Sequence, residues 1–402
     1  MIRQEQPGQG YSFSERRGWV AAFVLISLFL LTNVAILLTV GIHMGGDSLR
    51  YVGGAENLLR GSPLQERQSH YTGYLLLIAF CRVTGIGLPG VIAIQLLMAG
   101  LAAFALYDLG RKLHGESAGL FAAGLFAANP DIARWNAYIL TDSLYISFVT
   151  LAVWSVYKAF ELGRHWYVLA VAVLVAATLI RPNGSVLILV SLLYLSSYLK
   201  PGTRSWLVIS AILLASILGA LVVLRFYTLQ YSDNPVIALR YGTTGIGEWG
   251  VLMPSEPGPF AGEWTDLIGY VARHPLASLR LCATRVAIEL VHARPFFSFK
   301  HNALLLATLP VIYLLALMGL KLNRNRALTR LIVLTITAHL AVVAATYADW
   351  DGRFLLYALP LICLLSSCAL ASLIASCARA LSPKYTREPA PAEDDSAIAV
   401  IE

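Results

Sequence analysis

The chain alternates long apolar runs with short polar interruptions. A helix that crosses a bilayer needs about 20 predominantly apolar residues. Apolar runs fall at 19–40, 88–110, 137–159, 205–227, 302–320, 328–347 and 354–377, with shorter ones at 117–130, 165–180 and 185–199. They predict about ten crossings. Tyr71 to Gly85 is also apolar but holds only about 14 such residues, which favours a re-entrant or interfacial helix. Val52 to Gly61 has amphipathic helical spacing and reads as a helix on the membrane surface. No fixed-period repeat is evident.

Composition agrees. Of 402 residues, 57% are hydrophobic and 13% charged, with mean hydropathy +0.67. Soluble domains carry about 25% charged residues, so the expected fold is all-α and polytopic, an integral membrane protein. The net charge of +7 does not point to nucleic acid, because Lys and Arg fall in short clusters between apolar runs, as in cytoplasmic loops. Arg16 and Arg17 precede a first run longer than a signal-peptide core of about 7–15 residues, with no small-residue cleavage site after it. It reads as a retained span with a cytoplasmic N-terminus. If 71–85 does not cross, Arg111/Lys112, Lys158/Arg164, Lys200/Arg204, Lys321/Arg324/Arg326/Arg330 and Arg379/Lys384/Arg387 all share the side of Arg16/Arg17. If it crosses, every cluster from Arg111 onward flips. The first arrangement is preferred, with both ends cytoplasmic. The five cysteines show no metal spacing. Cys363, Cys368 and Cys377 read as small buried hydrophobes, and a Cys81–Cys282 disulfide is open but unsupported. The tail after Leu381 is rich in Pro and acids and reads as disordered.

This threading divides the chain into a cytoplasmic N-terminus (1–18), a first transmembrane module (19–200) with exported loop 41–87, a second (201–378) with exported loop 228–301, and the tail (379–402). It gathers unpaired acids and arginines on the exported face, where charges near bilayer depth are functional candidates. Asp47, in Gly45-Gly46-Asp47-Ser48, stands where the surface helix begins. It either takes a proton from an acceptor hydroxyl as a general base or caps the helix. Tyr51 lies four residues on and shares its side of the turn. Thr141-Asp142 heads the fourth run, with Arg134 eight residues earlier; this is a second acid or another cap. His70 reads as an interface residue or a contact to a head group or sugar. Arg181, in Arg181-Pro182-Asn183-Gly184, either snorkels or offers its fork to a phosphate. Asp349, Asp351 and Arg353 repeat the theme, as an Asp–Arg pair or a second phosphate contact. His292, Arg294, Lys300 and His301 run against the positive-inside trend and suggest a local anionic partner.

Two acids and several arginines on one face suit a reaction between a lipid-borne phosphate ester and a polar acceptor. The arginines would steady the departing phosphate and an acid would take the acceptor's proton. Walker A, GxGxxG, GxSxG and HExxH patterns are absent, which disfavours an ATP-driven pump or a zinc protease. A divalent cation would need Asp47, Glu56, Asp142 or Asp349 to converge. The alternative class is a transporter or lipid flippase for an envelope precursor. It also needs buried charges, yet more often shows paired broken helices in two similar halves. A non-catalytic membrane scaffold is a further rival.

The ordered set of motifs resembles the GT-C glycosyltransferases, closest to the protein mannosyltransferase and aminoarabinose transferase-like groups (glycosyltransferase family 39-like). Gly46-Asp47, Tyr51, Ala55, Leu58-Leu59 and Gly61 resemble their first exported loop. His70-Tyr71-Thr72-Gly73 resembles their His-Pro-Pro-Leu segment without its prolines. Leu109-Gly110-Arg111-Lys112-Leu113-His114-Gly115 is similar to their Gly-Arg-Arg-Leu-Phe-Gly turn. Thr141-Asp142-Ser143-Leu144 resembles the second acidic motif, and Arg181-Pro182 a later one. The match covers roughly the first half of the chain. The resemblance implies an all-helical fold with a conserved front module and two juxtamembrane helices in the first exported loop, beside the about ten transmembrane helices read from the apolar runs. It implies a polyprenyl-phosphate sugar donor, a glycan or lipid-linked acceptor, and an extracytoplasmic site in a plasma (inner) membrane. By carry-over, Asp47 is the catalytic base or an acid orienting the acceptor, and Asp142 a second catalytic acid supporting the acceptor or a metal. The residues themselves, apart from the resemblance, offer Arg181 and Arg353, then Arg134 and Lys300, for the phosphate, and Tyr51, His70 and Asp351 as further substrate contacts. Ser48 stands where relatives often have a second acid, which weakens a metal assignment. No large C-terminal soluble domain is evident, which favours a small or lipid-linked acceptor.

Overall fold

A computed structural model describes residues 13–197, 235–246, 249–256 and 264–381. Among these the protein is helical and has no strand; the one extended contact is an isolated bridge between His43 and Tyr138. Numbered through the described residues, the first helices are α1 (Phe13–Val40), α2 (Ser48–Leu59), α3 (Glu66–Ser69), α4 (Thr72–Val83), α5 (Gly87–His114), α6 (Glu116–Ala127) and α7 (Pro130–Ala133). A 3-10 turn (Arg134–Ala137) leads to α8 (Asp142–Leu162), α9 (Arg164–Ile180) and α10 (Gly184–Ser196). Then come α11 (Pro235–Arg240), α12 (Trp264–Arg273), α13 (Pro275–Val291), α14 (Phe299–Leu322), α15 (Arg326–Ala345) and α16 (Arg353–Leu381).

The protein is a multi-pass, all-α membrane protein. α1, α5, α8, α14, α15 and α16 are each long and apolar enough to cross a bilayer. α6, α9 and α10 are shorter apolar helices at three further predicted runs. The run 205–227 and the tail from 382 lie outside the described residues. α4 has 12 residues, about 18 Å of helix against a hydrocarbon core of about 30 Å. It is shorter than that core, as the sequence predicts for 71–85, and so is the 12-residue α6 at the predicted run 117–130.

Two boundaries differ from the sequence reading. The surface helix begins at Ser48 rather than Val52, so Asp47 directly precedes it. The fourth span begins at Asp142 rather than 137. Asn129 starts a new turn by accepting from the amides of Asp131 and Ile132 at 2.9 and 3.2 Å, with Pro130 at the first helical position. Tyr138 is extended because its neighbours bond elsewhere: His43 N donates to Ala137 O at 2.9 Å and Ile139 N to His43 O at 3.0 Å. Irregular backbone is tolerated here because residues 131–141 are mostly buried in protein rather than exposed to lipid.

α16 runs through the core against α5, α6, α8, α14 and α15. The last span is thus built into the same bundle as the early ones. α1 is the most exposed span, tied in by Asn136 Nδ2 donating to Asn33 Oδ1 at 2.8 Å. α2 and α4 lie close together through Gly54, where a Cβ would stand 2.8 Å from Leu75 Cδ1. α4 meets the end of α9 through Gly73, where a Cβ would stand 2.9 Å from the Leu179 backbone. All five cysteines are free, so the Cys81–Cys282 bridge does not form. Cys363 and Cys368 are buried as expected, but Cys377 is exposed because α16 outruns the packed bundle in its last turns.

Candidate active site

The site is assembled where the first loop is zipped to the segment ahead of α8. Beyond the His43 bridge, Ser48, fully buried, donates its hydroxyl to Ile139 O at 2.9 Å. Asp47 stands at the N-cap position, but its side chain makes no capping bond. It pairs instead with Arg50 at 3.1 Å and its side chain is 34% exposed. The capping alternative is therefore not what the side chain does, and the carboxylate stays open to the surface. Tyr51, one turn on, is buried edge-on against Tyr71 and Tyr74, with centroids 5.0 and 5.3 Å apart. Burial first, then neighbouring Tyr71, Asp47 and Asp142, hold its phenol well above the ordinary range, with Arg181 opposing. Tyr51 therefore stays protonated and is no base. Tyr74 donates to Gln95 Oε1 at 3.0 Å, and Gln95 Nε2 donates to the Asn136 and Tyr138 carbonyls, both at 3.0 Å. These bonds satisfy backbone that the helices leave unpaired.

Asp142, 1% exposed, is the hub. Arg181 Nη1 donates to its Oδ1 at 2.8 Å and to Thr141 Oγ1 at 3.1 Å. Tyr357 donates its hydroxyl to the same Oδ1 at 2.5 Å. Arg353 Nη1 lies 3.5 Å from Oδ2. A buried carboxylate is stable only when paired and hydrogen-bonded, and here two cations and a phenol do this. The Arg181 guanidinium lies over the Tyr357 ring at 5.1 Å and the Phe354 ring at 5.6 Å. Its Nε and Nη2 carry no hydrogen bond among the described residues. Arg353 is bracketed on its other side by Asp349, at 3.0 Å from Nη2 and 3.2 Å from Nε.

A second charge cluster adjoins the first. Arg134 Nη2 donates to Asp351 at 3.3 Å, and His301 Nε2 is 2.9 Å from Asp131. Arg134 and Arg353 both lie over the Trp135 ring, at 4.9 and 5.7 Å. Burial pushes the Asp351 carboxyl up, with Arg134 opposing. The structure thus brings together Asp142, Arg181 and Arg353, places Tyr51 within their field, and sets Arg134 and Asp351 beside them. Lys300 is exposed on the first turn of α14 and takes no part in these contacts, and His70 is half-buried at the end of α3. His292 and Arg294 do not form a surface for an anionic partner. Both are 1% exposed, and the Arg294 guanidinium is taken up by the carbonyls of Trp350 and Asp349, each at 3.0 Å.

The donor set does not fit a divalent cation. Both Asp142 oxygens face guanidinium groups, Asp47 pairs with Arg50, Asp349 faces Arg353, and Glu56 faces Arg82. No group of three His, Cys, Asp or Glu suited to a metal occurs among the described residues.

An apolar cavity of about 380 Å³ lies between α6, α14 and α16. Leu120, Leu125, Leu305, Leu309, Leu359 and Cys363 contribute its apolar walls, and Asn129, Asp131 and His292 its polar end. Neither ring nitrogen of His292 has a hydrogen-bond partner among the described residues. Burial, then Arg294 and Arg134, push the ring down to about 3, so it is neutral.

Residues 71–227 match the family described as dolichyl-phosphate-mannose-protein mannosyltransferase. This segment is therefore similar to a family of the GT-C superfamily. The match spans less than half of the chain. It contains Asp142 and Arg181 but not Asp47, Arg353 or Tyr357. At family level the GT-C match means a membrane glycosyltransferase. No curated protein matches the chain.

Two groups of this region escaped the sequence reading. Tyr357 sits one helical turn after Arg353, a spacing that places both on one face, but the apolar run around it hides the signal. Glu289 is a lone acid in an amphipathic stretch, and only the fold shows that it is buried.

Proposed function

We propose that the protein transfers a sugar from a polyprenyl-phosphate donor to a hydroxyl of a lipid-linked or other small acceptor, on the exported face of the membrane. The observation that carries this reading is Arg181. Asp142 fixes it through Nη1, while Nε and Nη2 carry no hydrogen bond among the described residues, in a segment that the family match includes. A planar fork held in this way suits two phosphate oxygens. Arg353, steadied by Asp349 and Asp142, supplies a second cation.

In this reading the acceptor hydroxyl gives its proton to Asp47, whose carboxylate is the exposed one. The acceptor oxygen bonds to the anomeric carbon as the bond from that carbon to the phosphate oxygen breaks, with inversion. The electron pair leaves with the polyprenyl phosphate, and Arg181 and Arg353 stabilise the charge that develops there. Asp142, enclosed by cations, is a poor proton acceptor and serves to position them. The cavity between α6, α14 and α16 supports a seat for the donor's isoprenoid chain, since its walls are apolar and its polar end borders the Arg134 cluster.

The test uses the purified protein in lipid nanodiscs with radiolabelled polyprenyl-phosphate sugars and candidate acceptors. Release of free polyprenyl phosphate coupled to acceptor labelling is expected. Movement of intact donor across vesicles without release contradicts the reading and indicates a flippase.

A further inference from the structure

The turn that carries Arg353 is gripped by a segment remote from it in sequence. Glu289, fully buried near the end of α13, accepts the Asp349 amide at Oε2, 2.9 Å away, and the Leu355 amide at Oε1, 2.7 Å away. These two amides flank Arg353. Just beyond α13, Arg294 donates from Nη2 to Asp349 O at 3.0 Å and from Nε to Trp350 O at 3.0 Å, and its Nη2 lies 3.7 Å from Glu289. His292, left-handed at φ 58°, lays its ring on Gly352, where a Cβ would stand 2.3 Å from the imidazole. Only glycine fits there, both for that space and for its own φ of 74°. Inside the turn, Asp349 accepts the Asp351 and Arg353 amides, each at 3.0 Å, and holds the Arg353 side chain.

We propose that Glu289 and Arg294 are positioning residues that hold the 349–355 turn in the shape that presents Arg353 to Asp142, and that a proton on Glu289 loosens this hold. Two N–H groups point at its two oxygens, so a proton on either oxygen puts a donor against a donor. The effect on rate rests on the glycosyl-transfer reading; the effect on the turn does not.

The groups facing Glu289 are Arg294 just beyond α13, Asp349 on the turn and Tyr313 on α14, whose hydroxyl donates to Leu290 O at 2.7 Å. α15 supplies the Ala344 and Ala345 carbonyls to Arg285, one turn before Glu289. Burial, with the Asp349 charge adding, pushes the Glu289 carboxyl up to about 7, against Arg294 and the two amide bonds. A carboxyl of that kind passes from mostly ionised to mostly protonated between about pH 8 and pH 6, a roughly tenfold change in the ionised fraction.

The experiment is hydrogen–deuterium exchange of the peptide spanning 347–357 in the full-length protein, corrected for intrinsic chemistry, at pD values on both sides of neutrality. Transfer is measured in parallel for the wild type and Glu289→Gln. In the wild type the peptide is expected to exchange about tenfold faster on the acid side, and the transfer kcat to fall in the same range. In Glu289→Gln exchange is expected to be fast and the kcat low at every pH, with the acid limb gone. Wild-type exchange that ignores pH overturns the proposal, and this arm needs no variant. An acid limb that persists unchanged in Glu289→Gln also overturns it. Exchange that behaves as expected in a protein with no transfer upholds the positioning role and removes the glycosyl-transfer reading instead.

Discussion

Tyr357 donates its hydroxyl to Asp142 Oδ1 at 2.5 Å, across 215 positions of sequence. The bond joins the start of α8 to the second turn of α16 and lies beneath the Arg181 guanidinium. It helps make one unit of an acid and two arginines that come from separate segments. A hydrogen bond to a charged group contributes about 1.5–3 kcal/mol. Tyr357→Phe should therefore lower the thermal stability measurably and slow transfer by roughly tenfold or more. An unchanged melting temperature together with an unchanged kcat contradicts the assigned role of the bond.

Arg181 and Asp142 should show strong coupling. Removing one partner of a buried ion pair costs about 3–5 kcal/mol. Arg181→Met and Asp142→Asn should each destabilise the protein and abolish transfer, and the double variant should be more stable than the sum of the two losses predicts. A double-mutant cycle by thermal unfolding in detergent checks this; additive losses would show that the pair is not coupled.

Ser48 occupies a place that does not suit a second acid. Its buried hydroxyl donates to Ile139 O, so a carboxylate there faces a carbonyl and has no donor to meet it. Ser48→Asp should disrupt the zipped loops and lower the yield of folded protein, without creating metal dependence. The same donor set predicts that wild-type transfer survives EDTA. Loss of activity on chelation, restored by one divalent cation, contradicts both expectations.

Glu289 gives stability a definite pH slope. Its carboxyl titrates near 7 in the folded protein against an ordinary 4.5, so the folded state holds the proton more tightly than the unfolded chain does. Its contribution to stability is full below about 4.5 and is lost as the pH rises through about 7. Between those values the wild-type melting temperature should fall more steeply with pH than that of Glu289→Gln. Parallel slopes would contradict the assignment. The charged form that holds the turn is thus also the form that burial disfavours.

Much of the fold was legible because bilayer thickness ties apolar run length to helix length. Length alone does not set α4 apart, since α6 also has 12 residues; the shared side of the basic clusters does. Run length failed at 137–141, where apolar residues serve an extended contact with His43 rather than a helix. Local composition does not encode pairing between distant loops. In the site, Asp142, Arg181 and Arg353 stood out as charges flanked by apolar runs, and they do converge. Lys300 stood out for the same reason and does not join them, because an exposed first turn of α14 costs a cation nothing. Tyr357 and Glu289 were hidden because a phenol in an apolar run and an acid in an amphipathic helix each have an ordinary explanation until the partner is seen.

In the proposed sugar transfer from polyprenyl phosphate, Asp47 takes the acceptor's proton. The most direct measurement is single-turnover transfer by Asp47→Asn in nanodiscs, compared with the wild type at matched folding and donor affinity. A general base contributes about 10²–10⁴-fold, so the variant should bind donor normally and transfer at least about a hundredfold more slowly. Transfer at the wild-type rate would contradict the account.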